Sequence, residues 1–343
     1  GRGARVPRER APHGGKARGA ACPRPARAPA PPGVCRAVVD VGTNSVKLLV
    51  ARVRGAEVIP VFERAEQTRL GRGFYEDHRL RPEAVRHTAQ AVAGFVHRAR
   101  ELGASAIRVL ATSAVRDAVN SAELTDALSA ATGLPVEVIS GEVEAAMAFR
   151  GVCTDPGLAG RPLLVMDLGG GSTEFIVGRD GEMSFSRSFP LGTVRLHESL
   201  QPGERPPASL LARCREELAG FLIHEVAPSL LPALEAAGRE GLQFVAVGGT
   251  AAILARVELG LSRYDRRAIE AAELSLATVR HATERMWSLP LAERRHVSGL
   301  PAERADIILT GVAVFEAVME TFGLAAVRPN LRGLRFAAVM DPA

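Results

Sequence analysis

The sequence predicts an α/β fold made of two similar domains. Two observations support this expectation: patterns typical of strands alternate with patterns typical of helices, and one strand–turn–strand motif occurs twice. The motif is D-x-G-x-x-S between apolar strands, at residues 40–45 and again 127 residues later (167 minus 40). A repeat at this distance predicts two copies of one unit. We expect a first domain over residues 34–156 and a second over residues 157–343, whose C-terminal segment packs back towards the first.

Residues 1–33 differ in composition from the rest of the chain. They contain eight Lys or Arg, one Glu and seven prolines, which gives a net charge of +7 and predicts a disordered tail. The remainder holds 35 basic (43 minus 8) and 37 acidic (38 minus 1) side chains, a net charge of −2. This near-neutral body, with only 4% aromatic residues, disfavours nucleic-acid binding.

Cysteine usage and apolar runs predict a cytoplasmic protein without a membrane partner. No apolar run reaches the roughly 20 residues that a membrane-spanning helix needs. The four cysteines form no C-x-x-C pair, so reduced thiols are the default. Apolar helices near residues 279–287 and 302–322 fit either the core or the surface of a homodimer, and the core is the default interpretation.

The elements of the first domain follow from periodicity and turn residues. We expect, in order, a strand–turn–strand at residues 37–50, a basic loop at 67–73, a helix at 82–102, a strand at 107–113, helices at 114–120 and 121–132, and a strand at 136–139. Arg69 in the basic loop either reaches an anion or is simply solvated. Arg116 lies just after the strand at residues 107–113, where α/β folds place ligands.

Two glutamates follow the last of these strands. Glu142 and Glu144 lie in the first turn of a predicted helix that begins after Ser140. One interpretation is a capping box, in which Ser140 caps the helix and an early glutamate complements its dipole. The other is a carboxylate at the mouth of a cleft that orients a water molecule. The residues alone leave both interpretations open.

The second domain repeats this pattern of strand, turn and helix. We expect a hairpin at residues 163–177, a short strand at 185–187, helices at 194–200, 210–234, 251–255, 274–287 and 302–322, and a strand at 244–247. The segment at 210–234 is expected to be one long helix or a pair of helices, interrupted at Pro228. Gly248, Gly249 and Thr250 form a third turn at a helix start, which is a candidate for phosphate contact.

The repeated turns are candidates for binding phosphate. Glycines allow backbone N–H groups to approach an anion, and successive N–H groups form a concave nest. Asp167 and Glu174 flank the second turn, and carboxylates beside phosphate imply a divalent cation. The alternative is a glycine-rich hairpin whose acids face solvent.

Seven motifs in order resemble the exopolyphosphatase/guanosine pentaphosphate phosphohydrolase family over about residues 37–340. They are V-D-V-G-T-N-S from Val39, A-T-S-A-V-R from Ala111, S-G-E-V-E-A from Ser140, D-L-G-G-G-S-T-E from Asp167, V-G-G-T from Val247, R-A-D-I-I from Arg304 and G-L-R from Gly333. The resemblance places the chain in the acetate and sugar kinase, heat-shock chaperone and actin superfamily. It implies two ribonuclease-H-like domains with the active site in the cleft between them, as in the short form of the family.

The resemblance also implies roles for individual residues. Phosphate would be bound by the first turn, the second turn, the third turn and two arginines, namely Gly42, Thr43, Asn44, Ser45, Gly169, Gly170, Gly171, Ser172, Gly248, Gly249, Thr250, Arg116 and Arg69. Mg²⁺ would be held by Asp40, Asp167 and Glu174. The catalytic base falls on Glu144, with Glu142 as the second candidate, because the family often has two adjacent glutamates there.

The activity implied is Mg²⁺-dependent hydrolysis of the terminal phosphoanhydride of inorganic polyphosphate. Guanosine pentaphosphate is the alternative substrate, because it also ends in a phosphoanhydride. A sugar or acetate kinase would need an acceptor pocket, and the Ser-Gly-Glu-Val-Glu segment argues against it. An actin-like or chaperone-like scaffold would assemble or bind peptide and would release no phosphate from polyphosphate. The sequence contains no G-x-x-x-x-G-K-[ST] loop, so a P-loop nucleotidase is not supported.

Overall fold

Two mixed β-sheets, each covered by helices, form the body of the protein. The computed structural model describes residues 33–341, together with Gly1 and Gly3. The tail expected at residues 1–33 therefore lies almost wholly outside the described residues. From Gly33 onward the chain forms one compact unit.

The first sheet has the strand order β3-β2-β1-β4-β5, and the second has the order β10-β11-β9-β6-β7-β8. The strands β1 to β11 span Val34–Val41, Val46–Arg54, Glu57–Glu66, Ala106–Ala111, Val136–Val138, Leu163–Leu168, Thr173–Arg179, Glu182–Phe189, Gln243–Val247, Leu274–Ser275 and Ala326–Pro329. The helices α1 to α14 span Phe74–Asp77, Pro82–Glu101, Ser113–Asp117, Ser121–Thr132, Gly141–Val152, Thr193–Leu200, Ala208–Phe221, Ala227–Ala237, Gly249–Glu258, Arg266–Ala271, Leu276–Ser288, Leu291–Arg294, Ile308–Phe322 and Leu334–Met340. We call the part built on the first sheet the first lobe, and the part built on the second sheet the second lobe.

The two sheets repeat one topology, as the repeated motif predicts. In each, a central strand pairs antiparallel with the next strand and parallel with a later one: β1 with β2 and β4, and β6 with β7 and β9. The repeat extends to an irregularity, because the register shifts between Val50 and Ala51 and again between Val177 and Gly178. These positions are also 127 residues apart (177 minus 50), so the copies match residue by residue through the hairpin.

Two helices exchange places between the lobes. Helix α5 follows the first sheet but packs on the second, where Ala145 and Phe149 share a buried cluster with Val165 and Ile176. Helix α14 follows the second sheet but packs on the first, where Phe336 and its neighbours share a buried cluster with β1 and β2. The exchange places the start of α5, which carries Glu144, between the two sheets.

Two predicted helices differ from the structure, and the sequence analysis missed strand β3. The helix expected at residues 302–322 begins only at Ile308, after a 3₁₀ turn at Ala302–Arg304, because Arg304 and Asp306 make contacts across the cleft. The segment expected at 210–234 as one helix or a helix pair is two helices, α7 and α8. The interruption is a π-helical turn at Leu222–Val226, just before Pro228, which lies in the first turn of α8. Strand β3 was not predicted, because its exposed face is charged and it contains Pro60.

The apolar helices that fit either core or dimer surface are core. The buried residues of α11 include Val279, Met286 and Trp287, and nearly all of α13 is buried. Of the helices in the described ranges, none has the length and apolarity needed to cross a bilayer. Within those same ranges Cys35, Cys153 and Cys214 are free thiols.

Candidate functional site

Two turns with the same hydrogen bond face each other between the lobes. The N–H of Gly42 donates to the carbonyl of Ser45 at 3.1 Å, and the N–H of Gly169 donates to the carbonyl of Ser172 at 3.0 Å. Both turns line one narrow cavity, which we call the turn cleft. The lining residues from the two turns are Gly42, Thr43, Asn44, Ser45, Gly169, Gly170, Gly171 and Ser172. The structure thus brings all eight predicted turn residues together.

The turns present unused backbone donors to the turn cleft. No backbone acceptor among the described residues takes the N–H groups of Thr43, Asn44, Gly170 or Gly171. Successive free N–H groups of this kind form an anion-binding concavity. The turns also lie in contact, since a Cβ added to Gly170 would lie 2.9 Å from the Cβ of Thr43. Glycine is required at position 170 by this close approach.

The third predicted turn contributes a helix N-terminus. Gly249 and Thr250, the first residues of α9, line the turn cleft, and Gly248 lies just outside it. Gly248 has φ of +101°, a conformation that residues other than glycine rarely adopt. The ten-residue helix α9 therefore directs its partly positive N-terminus at the same cavity as the two hairpin turns.

Four acidic side chains gather at one end of the turn cleft. Asp40 and Asp167 occupy equivalent positions, two residues before their turns, and line the turn cleft together with Glu144. Glu174 lies behind them, only 1% exposed, and accepts a hydrogen bond of 2.7 Å from the hydroxyl of Ser188. Glu144 and the three acids predicted to hold Mg²⁺ are therefore all at or next to the turn cleft.

Burial and mutual repulsion raise the pKa of these acids. Burial and the Asp40 carboxylate raise the pKa of Asp167 to about 6, against the opposing charge of Lys47. Burial and Asp167 raise the pKa of Glu174 to about 7. Burial, followed by the charges of Glu174 and Asp167, raises the pKa of Glu144 well above its ordinary value. Strongly perturbed carboxyl groups in a cleft are characteristic of functional sites.

Glu144 and Glu142 are placed differently. Ser140 caps α5 by accepting a hydrogen bond from the N–H of Val143 at 3.2 Å. Because the third helical position is Val143, neither glutamate completes a capping box, although both lie in the first turn. Glu144 points into the turn cleft and pairs with Arg116 at 3.2 Å. Glu142 is exposed and does not line the turn cleft. Of the two candidate bases, only Glu144 is at the site.

The two predicted arginines bind protein groups instead of lining the turn cleft. Arg116 donates to the carboxylate of Glu144 at 3.2 Å and to the carbonyl of Ile139 at 3.0 Å, so it positions Glu144. Arg69 donates across the lobes to Asp306 at 2.5 Å and to the carbonyl of Glu303 at 2.9 Å. The basic loop is thus an interlobe contact.

Two cationic residues of the turn cleft were not among the predicted site residues. Lys47 lies opposite Asp40 in the hairpin, with its ammonium 3.9 Å from that carboxylate. Arg304 lines the turn cleft beside Gly249 and donates to Gln67 at 3.0 Å. A lysine among the apolar residues 46–51 of strand β2 was the available signal for the first. The R-A-D-I-I motif was the signal for Arg304, but its contact with Gln67, 237 residues away in the chain, could not be read from that motif.

The donor set at the site fits a magnesium ion. The described residues contain no ready-made group of three or more His, Cys, Asp or Glu side chains that could hold a metal on their own. Mg²⁺ is usually held by one or two carboxylates, with waters and substrate phosphates completing its shell. Asp40 and Asp167 repel each other at the turn cleft, so a cation beside them would be favourable.

A second, wider cavity adjoins the turn cleft. This side cavity has a volume of about 920 Å³ and shares Asn44 with the turn cleft. Its lining includes Tyr75, Arg72, Arg195 and His197. The site thus consists of the narrow turn cleft and the larger side cavity next to it.

Comparison with known proteins identifies the family. Residues 49–341 match the model of the Ppx/GppA phosphatase family. Exopolyphosphatase 2 of Mycobacterium tuberculosis is 34% identical over 291 residues, covering 82% of this chain and 88% of the relative. Guanosine-5'-triphosphate,3'-diphosphate pyrophosphatase of Vibrio vulnificus is 31% identical over 284 residues, which span 83% of this chain but 54% of that longer relative.

A solved structure supports the same assignment. The crystal structure of the Aquifex aeolicus member of the Ppx/GppA family aligns with a TM-score of 0.72 and 26% identity. The alignment covers 90% of this chain and 96% of that one. The expected two-domain α/β fold with its interdomain cleft is therefore confirmed. The chain belongs to the Ppx/GppA phosphatase family.

Proposed function

We propose that the protein is an exopolyphosphatase, which hydrolyses the terminal phosphoanhydride of inorganic polyphosphate and releases orthophosphate. The observation that carries this proposal is the pair of matching turns whose free N–H groups converge on one cleft beside Glu144. The relative named Exopolyphosphatase 2, which aligns over most of both chains, supports it.

The terminal phosphate would be bound by the turns at residues 42–45 and 169–172 and by the start of α9. Their N–H groups donate to its oxygens, and Lys47 and Arg304 offset its negative charge. Phosphoryl transfer depends mainly on such positioning and charge neutralisation. Asp40 and Asp167 would hold Mg²⁺, with Glu174 behind them. The bound ion supplies further charge neutralisation on the phosphate oxygens.

Glu144 would act as the general base. A water oxygen forms a new bond to the terminal phosphorus, and the bridging P–O bond breaks in line with it. Glu144 takes the proton of this water, and the bonding electrons leave with the shortened chain. A raised pKa makes a carboxylate a better proton acceptor, and Arg116 holds the carboxylate in place.

The test is phosphate release by the purified protein with Mg²⁺. We expect release from polyphosphate, its loss in EDTA, and no transfer to sugars or acetate. Transfer of the phosphoryl group from ATP to a sugar, with no phosphate released from polyphosphate, would indicate a kinase and overturn the proposal. Because the described cysteines are free thiols, we expect the enzyme to work in the cytoplasm.

Guanosine pentaphosphate is the second candidate substrate. The side cavity, about 920 Å³ and next to the turns, has room for a nucleoside beyond the terminal phosphate. The Vibrio relative carries the corresponding name. Equal amounts of polyphosphate and guanosine pentaphosphate in competition would rank the two by kcat/KM, and a higher value for the nucleotide would reverse our order.

A further inference from the structure

Two buried hydroxyl groups face the same glycine of the second turn. A Cβ added to Gly171 would contact the hydroxyl of Ser113 and would lie 2.5 Å from that of Tyr75. Ser113 is 4% exposed, and within the described residues neither hydroxyl makes a hydrogen bond of good geometry, although the side chain of Thr43 lies beside the Tyr75 hydroxyl. Buried polar atoms of native proteins are nearly always paired, so two unpaired hydroxyls at one point require an explanation.

The tyrosine ring is fixed in place from both sides. The guanidinium of Arg195 lies 4.3 Å from the centre of the Tyr75 ring, and it also donates to the carbonyl of Gly171 at 3.1 Å. Phe74 packs edge-on against the ring at 5.0 Å. The hydroxyl of Tyr75 therefore has a defined position relative to the second turn. Burial raises the pKa of Tyr75 to about 12, so the group remains an O–H donor.

The two hydroxyls lie where the cavities meet. Ser113 lines the turn cleft, whereas Tyr75 lines the side cavity. A chain of phosphates that places its last phosphate between the turns must continue into a space large enough for the remainder. The side cavity offers that space, and a phosphate chain that runs from the turn cleft into it would pass near the two hydroxyls at Gly171.

We propose that the hydroxyls of Tyr75 and Ser113 bind the penultimate phosphate of the substrate and so select phosphate chains over single phosphates. The proposal rests on the proposed function and refines it, because it names residues that recognise the leaving group. Uncharged O–H donors suit phosphate oxygens, which accept several hydrogen bonds. A phosphate there would accept a hydrogen bond from both hydroxyls, neither of which is bonded with good geometry in the described protein.

The test compares binding of tripolyphosphate and orthophosphate by calorimetry in full-length Glu144→Gln protein, so that turnover does not interfere. Tyr75→Phe and Ser113→Ala should each weaken tripolyphosphate binding by roughly 10- to 100-fold, the range for one hydrogen bond to a charged group. Orthophosphate binding should not change. Equal weakening of both ligands, or no change for tripolyphosphate, would overturn the proposal.

A purely structural role is tested by the melting temperature without ligand. Removing an unpaired buried hydroxyl should keep or raise the Tm, whereas a loss of Tm in both variants would indicate that the hydroxyls stabilise the fold instead. Thr88→Val is the matched control: Thr88 is fully buried, has an unpaired hydroxyl and lines neither cavity. Tyr264→Phe controls for the loss of a tyrosine hydroxyl elsewhere. Both controls should leave tripolyphosphate binding unchanged.

The outcome is independent of the activity assay. If the wild type releases no phosphate from polyphosphate, the proposed function fails, whatever the variants bind. If the wild type is active but the variants bind tripolyphosphate normally, only the role of Tyr75 and Ser113 fails.

Discussion

At the residue scale, Glu144 is the position on which the proposed chemistry depends. Glu144→Gln keeps the shape and the partner Arg116 but removes the proton acceptor. We expect the rate of phosphate release to fall by about 10²–10⁴-fold, the usual contribution of a general base, with little change in KM. Steady-state kinetics with polyphosphate and Mg²⁺ provide the measurement.

Glu142→Gln is the matched control, because Glu142 lies two residues earlier on the same helix but is exposed outside the turn cleft. It should retain near wild-type activity. An inactive Glu142→Gln protein beside an active Glu144→Gln protein would move the base to Glu142.

The residues of the site were predictable where their signal was local. The D-x-G-x-x-S turns and the acids next to them follow from glycine spacing and flanking apolar strands. Arg69 and Arg304 were beyond such reasoning, because their partners lie more than 230 residues away in the chain. Sequence spacing cannot say whether an arginine in a basic loop meets an anion or a carboxylate of the other lobe.

At the element scale, the crossing of α5 and α14 is the tightest helix contact between the lobes. A Cβ added to Gly151 of α5 would collide with the carbonyl oxygens of Arg332 and Gly333, just before α14. Backbone at such a contact cannot move aside cheaply. We therefore expect Gly151→Ala to lower the free energy of unfolding by about 1–3 kcal/mol, as overpacking does.

Gly94→Ala is the control for this substitution. Gly94 lies in helix α2, and an added Cβ would meet nothing within 4 Å. Replacing a helical glycine by alanine at an open position should stabilise the protein by about 1 kcal/mol. Urea unfolding of both variants separates the two effects, and stabilisation by Gly151→Ala would show that the crossing tolerates a methyl group.

The buried Arg294 connects the C-terminal end of α11 to the loop before α13. Its guanidinium is fully buried and donates to the carbonyls of Met286, Leu289 and Ala305, which joins the end of α11 to the loop before α13. Arg294→Met should lower the free energy of unfolding by about 1–3 kcal/mol or more, because these buried carbonyl groups lose their hydrogen-bond donor.

That loop carries Arg304 and Asp306, so the same variant should also weaken binding of tripolyphosphate. Chemical unfolding and calorimetry test the two effects separately. An unchanged stability would mean that other donors replace the guanidinium.

The elements themselves were predicted unevenly, for physical reasons. The hairpins and α2 have strong periodicity, and the structure contains them close to their expected bounds. The start of α13 was placed six residues too early, at 302 instead of Ile308, because Arg304 and Asp306 look helical but are held by the other lobe. In this segment the contacts with the other lobe outweigh the local helix propensity.

At the scale of the whole molecule, the ion pair of Arg69 and Asp306 links the lobes. Burial alone would raise the pKa of Asp306, but the hydrogen bond and charge of Arg69, with His197, outweigh burial and lower it. Because the pKa of Asp306 is lowered in the folded state, the pair stabilises the fold at pH values above 3.8, the ordinary pKa of an aspartate. This stabilisation is lost as the pH falls through the folded-state pKa.

Asp306→Asn should therefore be less stable than wild type at pH 7, and the difference should shrink as the pH falls below about 4. Thermal unfolding at pH 7 and pH 3, compared between the two proteins, provides the measurement. A difference that is equal at both pH values would show that the carboxylate charge is not what links the lobes. Because the Arg69 side chain is 39% exposed, solvent screens the pair and the effect should be small.

The repeated hairpins present different charges to a phosphate that lies between them. The two hairpins are alike in backbone, but the residue that pairs with the equivalent aspartate differs. Lys47 faces Asp40, whereas Glu174 faces Asp167. The pair of similar turns therefore has a positively charged side at Lys47 and a negatively charged side at Glu174. A phosphate bound between the two turns, as proposed, would therefore have a cation on one side and an additional carboxylate on the other, so its two sides would not be equivalent.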